Sequence, residues 1–60
     1  MIGKAFKRIR EAKRYSQSEL ARVFGVDVMT VSRWERGVVP IPRLAELALS
    51  ALKPQKKRRD

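Results

Sequence analysis

Apolar residues recur at intervals of three and four along most of the chain, the period of a helix face and not of a strand. Ile2, Ala5, Phe6, Ile9 and Ala12 predict a first helix over 2–14, with Lys4, Lys7, Arg8, Glu11 and Arg14 on its other side. Leu20, Ala21 and Phe24 predict a second over 17–24. Val31 and Trp34, with Val28 at the edge, predict a third over 28–36. The fourth, over 43–52, has an inward stripe of Leu44, Leu47, Ala48, Ala51 and Leu52. Ala45 and Leu49 widen its apolar arc beyond what one contact needs. They pack against helix 1 or the loop, or they join Val38, Val39 or Ile41 in a small dimer patch, and periodicity leaves both open. No internal repeat is visible.

Polar residues and glycines punctuate these stripes. Ser16, with Glu19 three positions on, spells a capping box: the hydroxyl accepts from one free backbone N–H and the carboxylate from another. Tyr15 and Leu20 occupy the two positions of a hydrophobic staple around it. Gly25 and Gly37 end helices 2 and 3, because a left-handed terminal residue costs glycine little. Asp27 is the expected N-cap of helix 3, with Val26 and Val31 as its staple. Only Gly25-Val26-Asp27 then separates helices 2 and 3, and so short a turn holds two helices at a steep angle. Pro40 and Pro42 stiffen the loop over 38–42, and Pro42 suits a helix start.

Two charged residues break the pattern. Glu35 falls inside the apolar stripe of helix 3, and an unpaired buried carboxylate is expensive. Arg10 lies one turn after Phe6, on the flank of the helix 1 stripe. The two are expected to form an ion pair that clamps helix 3 to helix 1. The plainer alternative leaves both solvated, with Glu35 exposed beyond Trp34.

The other face of helix 3 carries Met29, Ser32, Arg33 and Arg36, small, polar or cationic instead of the Glu/Lys mixture of a merely solvated face. Charge sharpens this. The 60 residues hold 15 Lys+Arg against 6 Asp+Glu, a net +9. Lys53, Lys56, Lys57, Arg58 and Arg59 supply part of that excess, yet the remainder is still basic, which favours a polyanionic partner. Cysteine and histidine are both absent. No disulfide, metal site or cofactor is therefore expected. Without a glycine-rich phosphate loop either, enzymatic activity has no support; Glu11, Glu19, Glu35 and Glu46 are explained as surface, cap, clamp and surface.

A chain this short buries only about 60% of its unfolded surface, so one domain over 1–53 must be held by packed apolar side chains alone. Residues 54–60 read as a basic disordered tail adding non-specific attraction to phosphates. Its KKRR also fits a nuclear-localisation patch, a weak signal. No apolar leader segment and no bilayer-spanning run is present, and a cytoplasmic protein without a membrane partner is expected.

These residues resemble a known family, the phage repressor and Cro, or XRE-type, helix-turn-helix proteins. Gln17, Leu20-Ala21, Gly25, Val26, Val31, Glu35 and Gly37 carry the pattern, over most of residues 4–52. Arg10 matches the family's helix 1 arginine, which pairs with the glutamate at the Glu35 position. The resemblance implies an all-α, lambda-repressor-like domain of four helices, or five, that binds double-stranded DNA sequence-specifically as a repressor-like transcriptional regulator. Helix 3 then enters the major groove while helix 2 crosses the backbone. The expected base readers are Val28, Met29, Ser32 and Arg33, with Arg33 placed for bidentate bonds to a guanine and the two apolar residues for thymine methyls. Val28 lies on the boundary with the core. Ser16, Gln17, Arg36 and Arg43 are the expected DNA-backbone contacts. The family match implies a phosphate donor in Gln17, at the first turn of helix 2. Pro42-Arg43 resembles a segment whose arginine, in some phage repressors, lies along the minor groove.

Two departures matter. Many members have a fifth helix that forms much of the dimer contact, where this sequence has a charged tail. Val28 and Met29 stand where some phage repressors have glutamines, so polar readout of adenine is not expected there. A weak homodimer is expected, on half-sites about 34 Å apart; a domain of a longer regulator, or one needing a partner, is the equal alternative. The rival reading keeps the fold as a protein-interaction module, as in antitoxins and coactivator-like proteins, with a partner on the apolar surface of helix 4 and Leu49 above all. RNA binding is disfavoured because no aromatic stacking surface is evident. A membrane-active peptide would have no use for two capped helices and a tight turn.

Overall fold

Phe6, Leu20, Val31 and Leu49 have no exposed surface, and each comes from a different helix. The computed structural model describes residues 1–56, in which α1 (Gly3–Ala12), α2 (Gln17–Phe24), α3 (Val28–Arg36) and α4 (Arg43–Ala51) enclose that core. The domain is all-α. Packing is closest between α2 and α3, then between α1 and α3, and α4 rests chiefly on α1. Trp34 joins the layers: the Phe6 ring meets it edge-on at 5.7 Å between centroids, and Phe24 lies tilted at 6.5 Å. Such edge contacts add to the area these rings bury.

The first three helices end in the same way. The amides of Val26 and Gly25 return to the carbonyls of Ala21 and Arg22, and those of Val38 and Gly37 return to Arg33 and Trp34. Gly25 and Gly37 are left-handed, at φ 71° and 76°. In α1 the amides of Tyr15 and Arg14 return to Arg10 and Glu11, and the left-handed residue, at φ 66°, is Arg14. All three are Schellman ends, which satisfy carbonyls a helix would otherwise leave open. The third explains why α1 stops at Ala12 and does not run to residue 14.

Helix 4 ends differently. The Lys13 ammonium donates to the carbonyls of Leu49, Ser50 and Leu52 at 2.7, 3.0 and 2.6 Å. A cation at a helix C-terminus also meets the negative end of the helix dipole. At the other side of the helix, the Met1 amine pairs with Glu46.

The orientation of α4 corrects the sequence reading. Of the predicted inward stripe, Leu44, Leu47, Ala48 and Ala51 face outward, with Leu44 79% exposed, and only its fifth member, Leu52, packs on the core. Ala45 and Leu49 are the buried residues. Apolar residues cover most of the circumference of this helix, so periodicity does not fix its rotation. The polar contacts from Met1 and Lys13 do.

Further departures are local. Ile2 is the N-cap of α1 and is exposed, as is Ala12. Asp27 stands at the N-cap of α3, but its carboxylate makes no capping bond. The Thr30 amide bonds the Asp27 backbone carbonyl instead. The tail, expected to be disordered from residue 54, is tied down at Gln55 by bonds to Lys13, Arg14 and Glu19. Residues 57–60 lie outside the described residues. Gly3 answers to a close approach: a Cβ there would lie 2.4 Å from the Glu35 carbonyl oxygen, so the start of α1 and the end of α3 touch through bare backbone.

Candidate nucleic-acid interface

Helix 3 is positioned by bonds at its buried side. Arg10 Nε donates to Glu35 Oε2 at 2.6 Å, and Nη2 donates to Oε1 at 3.2 Å, a two-pronged contact across the α1–α3 boundary. Nη1 donates to the Tyr15 carbonyl at 2.7 Å. The Gln17 carboxamide donates to the same Oε1 at 2.9 Å. Arg10 and Glu35 are 6% and 9% exposed. At that burial a guanidinium and a carboxylate are tolerable only when paired and hydrogen-bonded. The pairing is complete: no buried side-chain nitrogen or oxygen lacks a partner among the described residues. The network thus ties α3 to both α1 and α2 and fixes its angle.

Opposite that network, α3 presents Met29, 46% exposed, with the exposed Arg33 and Arg36. Ser32 is half-buried beside them. Val28 is 37% exposed and sits where this face meets the core. Arg33, Arg36 and Arg43 make no hydrogen bond or ion pair among the described residues. Arg43 is exposed at the first position of α4, across the loop from Arg36. These cations are available to an anion, whereas Arg10 is wholly used within the fold.

Helix 2 begins with the complete capping box: Ser16 Oγ accepts from the Glu19 amide at 3.0 Å, and Glu19 Oε1 accepts from the Ser16 amide at 2.8 Å. Ser16 is exposed, and its hydroxyl hydrogen remains to be donated. Gln17 has a second role beside the one expected. One of its two amide hydrogens is committed to Glu35, which leaves one for an outside acceptor.

Sequence reasoning did not identify three residues that build this frame. Lys13 is half-buried, and nothing in its sequence neighbourhood marks it as a cap for a helix 36 residues away. Gly3 carries no turn signal. Gln55 stands in a stretch whose composition alone suggests disorder. Conversely, Leu49, on which the protein-interaction reading leaned most, is in the core. Among the described residues, no group of acidic side chains is arranged to hold a metal, and no helix is long and apolar enough to cross a membrane.

A helix-turn-helix family model matches residues 6–52. The match begins at Phe6 and ends at Leu52, and so includes the clamp, the turn, the outward face of α3 and all of α4. No curated protein and no solved structure matches the chain.

Proposed function

Because the chain belongs to the XRE and Cro type of the helix-turn-helix family, we propose that it is a sequence-specific double-stranded DNA-binding protein acting as a repressor-like transcriptional regulator. Domains of this family are DNA-binding and typically non-catalytic. The observation that carries the proposal is the contrast across α3: one side is locked by Arg10, Glu35 and Gln17, and the other offers Met29, Ser32, Arg33 and Arg36, whose side chains have no hydrogen-bond or ion-pair partner among the described residues. A rigid helix with a small, cationic outer face suits insertion into the major groove.

In this reading Arg33 bonds a guanine edge and Met29 packs on a thymine methyl, with Ser32 beside them and Val28 at the margin of the contact. Ser16, the free hydrogen of Gln17, Arg36 and Arg43 meet phosphates. Gln17 then touches the backbone while holding Glu35, so the residue that docks α2 on DNA also braces the reading helix. A cytoplasmic location goes with this function.

The test compares two variants against duplexes selected from a random pool. Arg33→Ala relaxes preference at one position, worth about 1–3 kcal/mol of discrimination. Arg43→Ala weakens all sequences alike and lowers the salt slope by about 1. An unchanged preference in Arg33→Ala places the reading face elsewhere.

A homodimer remains part of the proposal, on a different surface from the one first expected. Leu44, Leu47, Ala48 and Ala51 form an exposed stripe without a charged residue. Beside it lies an open apolar groove between Phe24, Val26, Trp34, Pro42 and Leu44. Two strongly basic chains can meet there without opposing their cations. One short helix face falls well short of the roughly 800 Å² per partner of a stable interface, so pairing is weak and completed on a palindromic site. Leu44→Glu removes any concentration dependence of sedimentation and of DNA binding if this stripe is the contact, and leaves both unchanged if it is not.

A further inference from the structure

We propose that Lys4 and Arg36 together hold one phosphate of the bound duplex, in the shallow cleft between the start of α1 and the end of α3, so that α1 touches DNA as well as α2 and α3. The inference rests on the DNA-binding reading above and deepens it by adding Lys4 to the backbone contacts.

The cleft exists because two helix ends meet through bare backbone. A Cβ at Gly3 would lie 2.4 Å from the Glu35 carbonyl oxygen and 2.6 Å from that of Trp34, so only glycine lets the first turn of α1 come so near the last turn of α3. Lys4 follows immediately. With Ile2, Gly3, Glu35, Arg36 and Gly37 it lines an open cleft of about 360 Å³. Lys4 and Arg36 are both exposed, and neither has a hydrogen bond or ion pair among the described residues.

The acceptors around the pair are already engaged. The Glu35 carboxylate is committed to Arg10 and Gln17, and that of Glu46 to the Met1 amine. The carbonyls of Arg33 and Trp34 accept from the Val38 and Gly37 amides. Two cations bordering one cleft repel each other, and an anion between them removes that repulsion. A phosphate suits the place because its oxygens can accept from a guanidinium fork and an ammonium at once. The location fits the DNA-binding reading too. Arg36 belongs to the outward face of α3, and Gln17, the expected phosphate donor of α2, bonds the Glu35 next to it. The cleft thus adjoins backbone contacts that the reading already contains.

Affinity of the full chain for the selected duplex, measured against chloride concentration, tests this. Lys4→Ala and Arg36→Ala each weaken binding about five- to tenfold at low salt and lower the slope of log affinity against log salt by about 1. Base preference and melting temperature stay as in the parent. Arg8→Ala is the control. Arg8 is exposed on the same helix but stands two residues before the buried Arg10, roughly 200° around the axis from it, on the side turned away from α3. Its removal leaves the slope nearly unchanged, since a cation that touches no phosphate releases no counterion. Because one phosphate binds both side chains, Lys4→Ala and Arg36→Ala combined lose clearly less than the product of the single losses. Inorganic phosphate titrated alone separates a free-anion site from a DNA contact: NMR shifts confined to Lys4 and Arg36, with duplex affinity unchanged in both variants, assign the cleft to a small anion and overturn the proposal. Losses that multiply, or a loss in Arg8→Ala equal to that in Lys4→Ala, also overturn it. In each of these cases the DNA-binding reading stands if Arg33→Ala still relaxes the base preference. Failure of the parent chain to bind any duplex overturns both.

Discussion

Helices α3 and α4 are both nine residues long, and each has a buried and an outward side, but they are held in opposite ways. Helix α3 is fixed at its buried side by directional bonds: Glu35 accepts from Arg10 and Gln17 on two other helices. Among the described residues, helix α4 has no such bond from its buried face. Leu49 and Ala45 fill space there, and polar contacts from Met1 and Lys13 grip its flank and its end. Apolar packing resists separation but tolerates small rotations, whereas a two-pronged ion pair specifies an angle. The helix that has to present side chains at a set angle is the one with the ion pair. The helix whose outer stripe is simply apolar does without.

The largest expected effect breaks the α3 side of this contrast. Arg10→Met or Glu35→Leu alone strands a buried charge and costs about 3–5 kcal/mol. A domain of this size has a total stability of only about 3–9 kcal/mol. Either single variant is therefore mostly unfolded or close to it in chemical denaturation, while the double variant recovers most of the loss. Singles that cost less than about 0.5 kcal/mol, the range of ordinary surface substitutions, would show that the pair does not hold α3.

The same contrast explains what could be read in the sequence. Glu35 was informative because it was misplaced: a carboxylate in an apolar stripe demands a cation, and Arg10 was the cation on a facing flank. The rotation of α3, and with it the outward set of Met29, Arg33 and Arg36, followed. Gly25 and Gly37 likewise disclosed two helix ends. In α4 no residue is out of place. Leu44, Leu47, Ala45, Leu49 and Ala48 offer several faces of similar apolarity, and the contacts that choose among them come from Met1 and Lys13, distant in sequence. The attachment of Gln55 was hidden for the same reason: its partners are the carbonyls of Lys13 and Arg14 and the cap residue Glu19, not neighbours in the chain.

The next effect in size tests the rotation of α4. Leu49→Ala opens a cavity in the core and costs about 2–5 kcal/mol. Leu44→Ala, at a position 79% exposed, stays within about 0.5 kcal/mol of the parent. Thermal melts of the two decide the matter, and the reverse order would restore the face first expected from periodicity.

A smaller loss is expected where α4 is capped from outside. Lys13→Met keeps most of the stem but removes three donors from the carbonyls of Leu49, Ser50 and Leu52. The contact is partly exposed, so about 1–2 kcal/mol is expected, not the sum of three buried bonds. Its location is more telling than its size. Hydrogen exchange should accelerate in the last turn of α4 and hardly change in α3, because local opening follows the bonds that were removed. Equal acceleration in both helices would mean that Lys13 supports the whole core and not one helix end.

The smallest effect is a gain, and it separates the three similar helix ends. Arg14 occupies the left-handed position that Gly25 and Gly37 occupy in α2 and α3. An L-residue with a Cβ is strained there, by about 1 kcal/mol, and glycine is not. The Arg14 carbonyl accepts from Gln55, and a glycine supplies the same carbonyl, so that contact is kept. Arg14→Gly is therefore expected to raise stability by up to about 1 kcal/mol, less whatever its side chain contributes and the extra backbone freedom glycine gives the unfolded chain. The complementary change, Gly25→Ala, introduces the strain that Arg14 bears and should lower stability by a similar amount, although a Cβ there meets no neighbouring atom within 4 Å. If the first raises and the second lowers the melting temperature, backbone conformation governs both ends. If Arg14→Gly lowers it, the arginine side chain outweighs the strain, and α1 is terminated by its contacts and not by its turn.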